Sequence, residues 1–418
     1  MFKRTIPLLV LALCPVFANG QLADYHATYT ADGKIDHDKY RSYASIESFQ
    51  HNSSVIYATG GVDLVLTRVF INKTGGVVDD STRRLTGVNS ALLANEGSRV
   101  RMYNCEINTH TEMADGLSAV GEGTRVEIEN GVFRSSRMGS AAMNANDGAS
   151  ITISAALVES FANQSPSFFA SPGGVINVSK CKGENAGQAS PVFHSKGSIT
   201  AEECHMSAGR WTMGNVEGGT LTLSKCDLTS EGVCGFLVYG SKQRTEGGML
   251  NLSKNKLTVK EGPLFIVTNT SAEITMTRNS ISGVSDQLMS VAAEDWGRKG
   301  SNGANAVLTV NKQSLKGYIT VDSISSLRLE MNKGARLNGD INKSENRCAK
   351  VDVVINAGSS WKSKGDSHVS SIVFEKPVEK GVKQLKGKHT IYYDASNPLN
   401  APLQGKVYKT GGGELRPL

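Results

Sequence analysis

One pattern recurs along the chain: a turn, a strand of alternating apolar and polar residues, a second short turn, and another apolar position. It reads GSRVRMYNCEI from Gly97, GTRVEIENGVF from Gly123, GASITISAALV from Gly148 and GGVINVSKCKG from Gly173. It continues as GSITAEECHM from Gly197, GGTLTLSKCDL from Gly218, GGMLNLSKNKL from Gly247 and SAEITMTRNSI from Ser271. An earlier copy starts near Gly61, and looser ones start at Leu308, Leu327 and Val351. The first apolar strand positions are Val100, Val126, Ile151, Ile176, Ile199, Leu221, Leu250 and Ile274, with steps of 26, 25, 25, 23, 22, 29 and 24 residues. Alternation with a period of two marks strands. A repeat of roughly 20–30 residues rich in β-branched side chains marks one coil of a parallel β-helix, whereas a propeller blade needs about 40 or more. The leucine and asparagine pattern of a leucine-rich repeat is absent.

Between these strands lies a second apolar strand: SALLAN from Ser90, SPSFFAS from Ser165, SPVFHS from Ser190, GRWTMG from Gly209, GFLVYG from Gly235 and PLFIVT from Pro263. Each coil therefore has at least two strands and a short third. The expected architecture is all-β: a single right-handed parallel β-helix of about twelve coils stacked at ~4.8 Å. The expected boundaries are a signal peptide over 1–20, an N-terminal cap over 21–50, the β-helix over 51–376 and a C-terminal cap over 377–418. A monomer is expected.

Composition agrees with a narrow core of small and branched side chains: 44 glycines and only 6% aromatics in 418 residues. The formal charge of +6 is mild for this length and implies no nucleic-acid partner. Lys3 and Arg4, the apolar run Ile6–Leu13 and the small residues Ala18 and Gly20 read as a signal peptide cleaved before Gln21. The expected location is extracellular or at the cell surface. That run is too short for a membrane span of ~20 residues, and no other stretch is long and apolar enough, so no transmembrane segment is expected.

Cys105, Cys181, Cys204 and Cys226 all stand five residues after the first apolar position of their coils, and Asn255 and Asn279 take the same slot later. This slot enters a tight corner and is read as facing inward. Buried free thiols are expected there, because parallel side chains in a ladder seldom meet disulfide torsions. Three sulfurs in one column do not make a tetrahedral zinc site either. No metal and no cofactor are implied.

Catalytic signals are weak. Acid-rich spots occur at Asp79-Asp80, Asp115 with Glu122, Asp147, and Glu202-Glu203. Asp115 and Asp147 are the candidates if the protein cleaves an acidic polysaccharide with carboxylates on a sheet face. Asp147-Gly148 and Glu122-Gly123 equally suit a bend. The acids Asp32, Asp36 and Asp38 lack the spacing of a calcium loop. His110 and His194 are expected as exposed turn residues.

Two turns are lengthened: GSKQRTEGG from Gly240 and EDWGRKGSNGAN from Glu294. Both fall between a second apolar strand and the next first strand, about two coils (~10 Å) apart. They should project from one edge, carrying Lys242, Arg244, Trp296, Arg298 and Lys299. Long loops on a regular scaffold are where binding usually resides. Either Trp296 is an exposed platform for a sugar or acidic polymer, or it folds back as a lid over the coils. Near the end, Lys376, Lys380, Lys383, Lys386 and Lys388 form a basic stretch, read within the C-terminal cap, with an anchoring surface as the alternative.

The runs GPLFIVTNTSAEITM from Gly262, DWGRKGSNGANAVLTV from Asp295, GYITVDSISSLRLEMNKGARLNGDIN from Gly317, WKSKGDSHVSSIVF from Trp361 and HTIYYDAS from His389 resemble a largely uncharacterised group of secreted bacterial right-handed β-helix proteins. GARLNGDI followed by a Trp-bearing coil is more remotely similar to the stem of pertactin-like autotransporter passengers. The first resemblance implies fold; the second implies adhesion. Three functions stay open: binding of a glycan or surface partner, a lyase or hydrolase of acidic polysaccharide, and a purely structural stalk.

Overall fold

A computed structural model describes residues 30–31, 34–35, 39–42, 45–76, 86–242, 246–283, 285–296, 299–343 and 349–418. It is an all-β solenoid of parallel sheets with about 14 turns, 52% strand and 4% helix. One coil is represented by Thr220–Ser224, Asp227–Ser230 and Phe236–Tyr239: a long strand, a side strand and a short strand. The long strands pair in register from coil to coil, Val100 with Val126, Ile151, Ile176, Ile199, Leu221, Leu250 and Ile274 in turn. The short strands build a separate 12-stranded sheet.

Alternation explains the core. In Thr220–Ser224 the apolar Leu221 and Leu223 are buried, and the alternating Thr220, Thr222 and Ser224 lie half-buried on the outside. The short strands carry aromatic rings inward. Phe168 stacks on Phe193 at 5.4 Å and Phe236 on Phe265 at 6.0 Å. Gly214 stands in register between Phe193 and Phe236. A Cβ at Gly214 would lie 2.5 Å from Leu221 Cδ2 and 3.1 Å from the Phe236 ring, so a larger residue would have to displace the Leu221 side chain.

The stack has more turns than the expected twelve, and the stacking extends at both ends. Lys39–Ser42 pairs in parallel with Leu64–Thr67, and Ser45–Ser48 with Phe70–Lys73. The described part of 30–48 thus adds strands to the stack instead of lying across its end. Beyond 376, Ser367–Val369 pairs with Ile391–Tyr393, which pairs with Glu414–Pro417. Only Tyr408–Lys409 runs antiparallel, along Glu414–Pro417. The Asn400 side chain accepts from the Ile372 N–H at 2.9 Å and donates to the carbonyls of Ser370 and Asp394, which satisfies backbone groups at the last long strand. Of the looser copies, Leu308 aligns with Leu329, and Leu327 with Ala306, a two-residue offset that keeps every side chain on its expected face.

The corner slot forms a continuous ladder. The Cys204 N–H meets Cys226 Sγ at 3.5 Å, the Cys226 N–H donates to Asn255 Oδ1 at 2.9 Å, and the Asn255 N–H to Asn279 Oδ1 at 3.0 Å. The Asn279 N–H continues it to Gln313 Oε1 at 2.5 Å. Cys105, Cys181, Cys204, Cys226 and Cys234 are buried and unbridged, and Cys348 lies outside the described residues. Each ladder residue follows a residue in the left-handed conformation, such as Lys225, Lys254 and Arg278 at φ 53, 57 and 54°.

Candidate functional site

The two long turns meet at one corner of the solenoid. Trp296 is half-buried, and its indole N–H donates to the Gly240 carbonyl oxygen at 2.6 Å. Asn269, in the coil between them, fastens the same edge. Its Nδ2 donates to the Trp296 carbonyl at 2.7 Å, and its Oδ1 accepts from the Glu294 N–H at 2.9 Å. Asn302 adds donors to the carbonyls of Glu294 (2.7 Å) and Trp296 (3.2 Å). Trp296 therefore folds back across the coils, as the lid alternative describes. Lys242 and Lys299 are exposed on this edge, while Arg244 and Arg298 lie outside the described residues.

Below this edge an open groove of about 470 Å³ runs along the strands that follow the two loops. Its floor includes the in-register column Met249, Glu273, Val307, Arg328 and Asp352. Five coils at ~4.8 Å spacing give it a length of about 19 Å. Arg328 Nε pairs with Glu330 at 2.6 Å, and Met249 is 40% exposed. The groove offers hydrogen-bonding and charged groups of both signs on a flat, regular floor.

Asp115 and Asp147 do not come together. Asp115 is buried at a corner, where Oδ1 accepts from the Ala141 N–H at 2.7 Å and Oδ2 from Asn144 Nδ2 at 3.2 Å. Asp147 is exposed in a turn with φ 51°. Neither lies on a sheet face as expected. The chain from Ala141, beside Asp115, to Asp147 crosses an entire short strand, on the order of 15–20 Å. That exceeds the roughly 5–10 Å between the carboxylates of a glycosidase pair. Asp32, Asp36, Asp38, Asp79 and Asp80 lie outside the described residues.

One cluster escaped the sequence reading. His194, expected in an exposed turn, is half-buried on the outward side of Phe193–Ser195, edge-on to Phe169 with ring centres 4.9 Å apart. Register places Lys196, Glu217 and Tyr239 in three successive coils beside it. Glu217 Oε2 accepts from Lys196 Nζ and from the Tyr239 hydroxyl, both at 2.8 Å, with His194 Nε2 at 3.6 Å. The Glu217 side chain is 1% exposed. Burial alone would raise its pKa, but the His194 hydrogen bond and the Lys196 charge outweigh it and hold the carboxyl well below the ordinary carboxylate range. The compensated charge ties three coils together beside the corner at Gly240. The repeat steps gave no signal for it, because the register of the short strands, Ser195 with Val216, differs by one residue from that of the long strands, Ile199 with Leu221.

Among the described residues no helix is long and apolar enough to cross a membrane. No protein-family model and no curated protein matches the chain.

Proposed function

We propose that this protein is an exported β-solenoid of the secreted β-helix type whose function is binding, toward a glycan or a surface partner, at the corner edge that Trp296 braces and that Lys242 and Lys299 line. The observation that carries this reading is the Trp296–Gly240 hydrogen bond. It joins two long loops into one built edge above the open groove. Regular coils need only short turns, so insertions braced against each other point to a retained role. Arg244 and Arg298, on the same loops in sequence, would add cations. Lys3, Arg4 and the apolar run after them support export. The separation of Asp115 from Asp147 favours binding over hydrolysis.

The test is a glycan array probed with the intact chain and with a folded variant combining Trp296→Ala, Lys242→Ala and Lys299→Ala. Array signals should fall for the variant. An unchanged array profile would reject this edge as the binding surface.

A further inference from the structure

A second face of the molecule has a different chemistry. The last coils carry their side strands in a separate four-stranded parallel sheet of Ser314–Lys316, Arg336–Asn338, Ser360–Lys362 and Leu385–Lys386. In each coil this side lies between the long and the short strands, so it faces away from the corner bearing Trp296. The alternation turns Leu315, Leu337, Trp361 and Leu385 into the core. Outward stand Lys316, Arg336, Lys362 and Lys386, all exposed. Lys316, Asn338, Lys362 and Lys386 are in register, one per coil, so the column spans about 14 Å at ~4.8 Å per coil.

Elsewhere on the wall several cations pair with acids on a neighbouring coil, as Arg99 with Glu127, Lys225 with Glu202 and Lys256 with Asp227. Among the described residues, Lys316, Arg336, Lys362 and Lys386 make no ion pair. Moreover, the segments 312–316, 333–338, 357–364 and 383–388 hold nine Lys and Arg and no Asp or Glu. The rest of the chain then has 36 cations against 39 acids. The net positive charge of the protein is thus concentrated on one side of its C-terminal coils. Like charges stacked in register repel, and that cost is relieved when an anion lies between them.

We propose that this face is a second binding site, for a linear acidic polysaccharide laid along the stack. Three lysines form one row interrupted at Asn338, and Arg336 stands two residues to its side in that coil, an extended arrangement that suits a polymer carrying anions at intervals. No apolar side chain points outward from these strands, so nothing is offered to insert into a lipid layer. Nor do these strands turn an aromatic outward to stack a nucleic-acid base. This site stands independently of the corner edge.

The test uses the full chain and polygalacturonate as probe, with neutral dextran as control. The protein binds polygalacturonate and not dextran, and raising salt from about 50 to about 500 mM weakens binding at least tenfold through screening and counterion release. Combining Lys316→Gln, Arg336→Gln, Lys362→Gln and Lys386→Gln weakens it at least tenfold at unchanged circular dichroism. Exchanging the three lysines for arginine retains binding. Equal binding by the glutamine variant, equal binding to dextran, or binding only to vesicles of phosphatidylglycerol and phosphatidylcholine would each overturn the proposal. Failure here leaves the glycan-array result for the Trp296 edge untouched.

Discussion

Trp296 Nε1 and the carbonyl oxygen of Gly240 meet at 2.6 Å across 56 positions of sequence, so one indole holds two corner loops in a fixed relation. Trp296→Phe keeps most of the ring and removes the donor. The loss should be about 1 kcal/mol, which is about a fivefold rise in local opening. Amide exchange at residues 240–242 and 293–296 should accelerate by that factor while the short strands stay protected. Unaltered exchange would mean that the bond does not brace the edge.

The corner ladder makes a sharper stability prediction. Asn279 Oδ1 accepts from both the N–H and the Nδ2 of Asn255, each at 3.0 Å. Asn279→Ala strands a buried N–H and should cost about 1–3 kcal/mol. Asn279→Cys should cost less, because Cys226 accepts from Cys204 in the equivalent place. Thermal melts of the two variants decide the matter, and equal destabilisation would contradict the equivalence of the slot.

Glu217 makes stability depend on acid. Its carboxyl is held below the ordinary value of 4.5 by His194 and Lys196 despite burial. A depressed folded pKa contributes stability above the unfolded pKa, and that contribution is lost as pH falls through the folded one. Glu217→Gln should therefore be clearly destabilising at pH 7. The gap to wild type should narrow progressively below about pH 4.5. Denaturant unfolding from pH 7 down to the acid limit of folding measures it, and a gap that stays constant would show that Glu217 gains nothing from its partners.

Four of the buried thiols should be silent, whereas the hydrogen bond with Cys204 lowers the pKa of Cys181. Hydrogen bonding to Cys181, with burial, pushes the Cys204 thiol up to about 12, and burial also raises Cys105 and Cys234. Thiolate is the reactive form. Iodoacetamide should label none of Cys105, Cys204, Cys226 and Cys234 in the native protein and all four in denaturant, as read by mass spectrometry. Prompt native labelling would mean that this corner opens.

Much of this fold is legible in the sequence, because period-two alternation and a nearly constant step leave few alternatives. The column from Val100 to Ile274 and the slot from Cys181 to Asn279 both stand where the pattern placed them. Four things were hidden, each for a physical reason. The left-handed corner residues include Lys225, Lys254 and Arg278, whereas turn signals are carried by Gly, Asn and Asp. The strands of 30–48 form an end of the stack, which needs less apolar alternation than a middle coil, so they read as a polar cap. The Lys196–Glu217–Tyr239 cluster and the basic side sheet each need the exact register between coils. A pattern along one strand reports which face a residue takes, not which residue lies beside it in the next coil.

The central claim is that this solenoid binds its ligand and leaves it intact. The direct measurement is incubation of the pure chain with a panel of uronic-acid and neutral polysaccharides, scoring retention on the polymer together with new reducing ends and unsaturated products. Retention on at least one polymer is expected, with no product from any. Product formation from any member of the panel would contradict it, and so would a complete lack of retention across the panel.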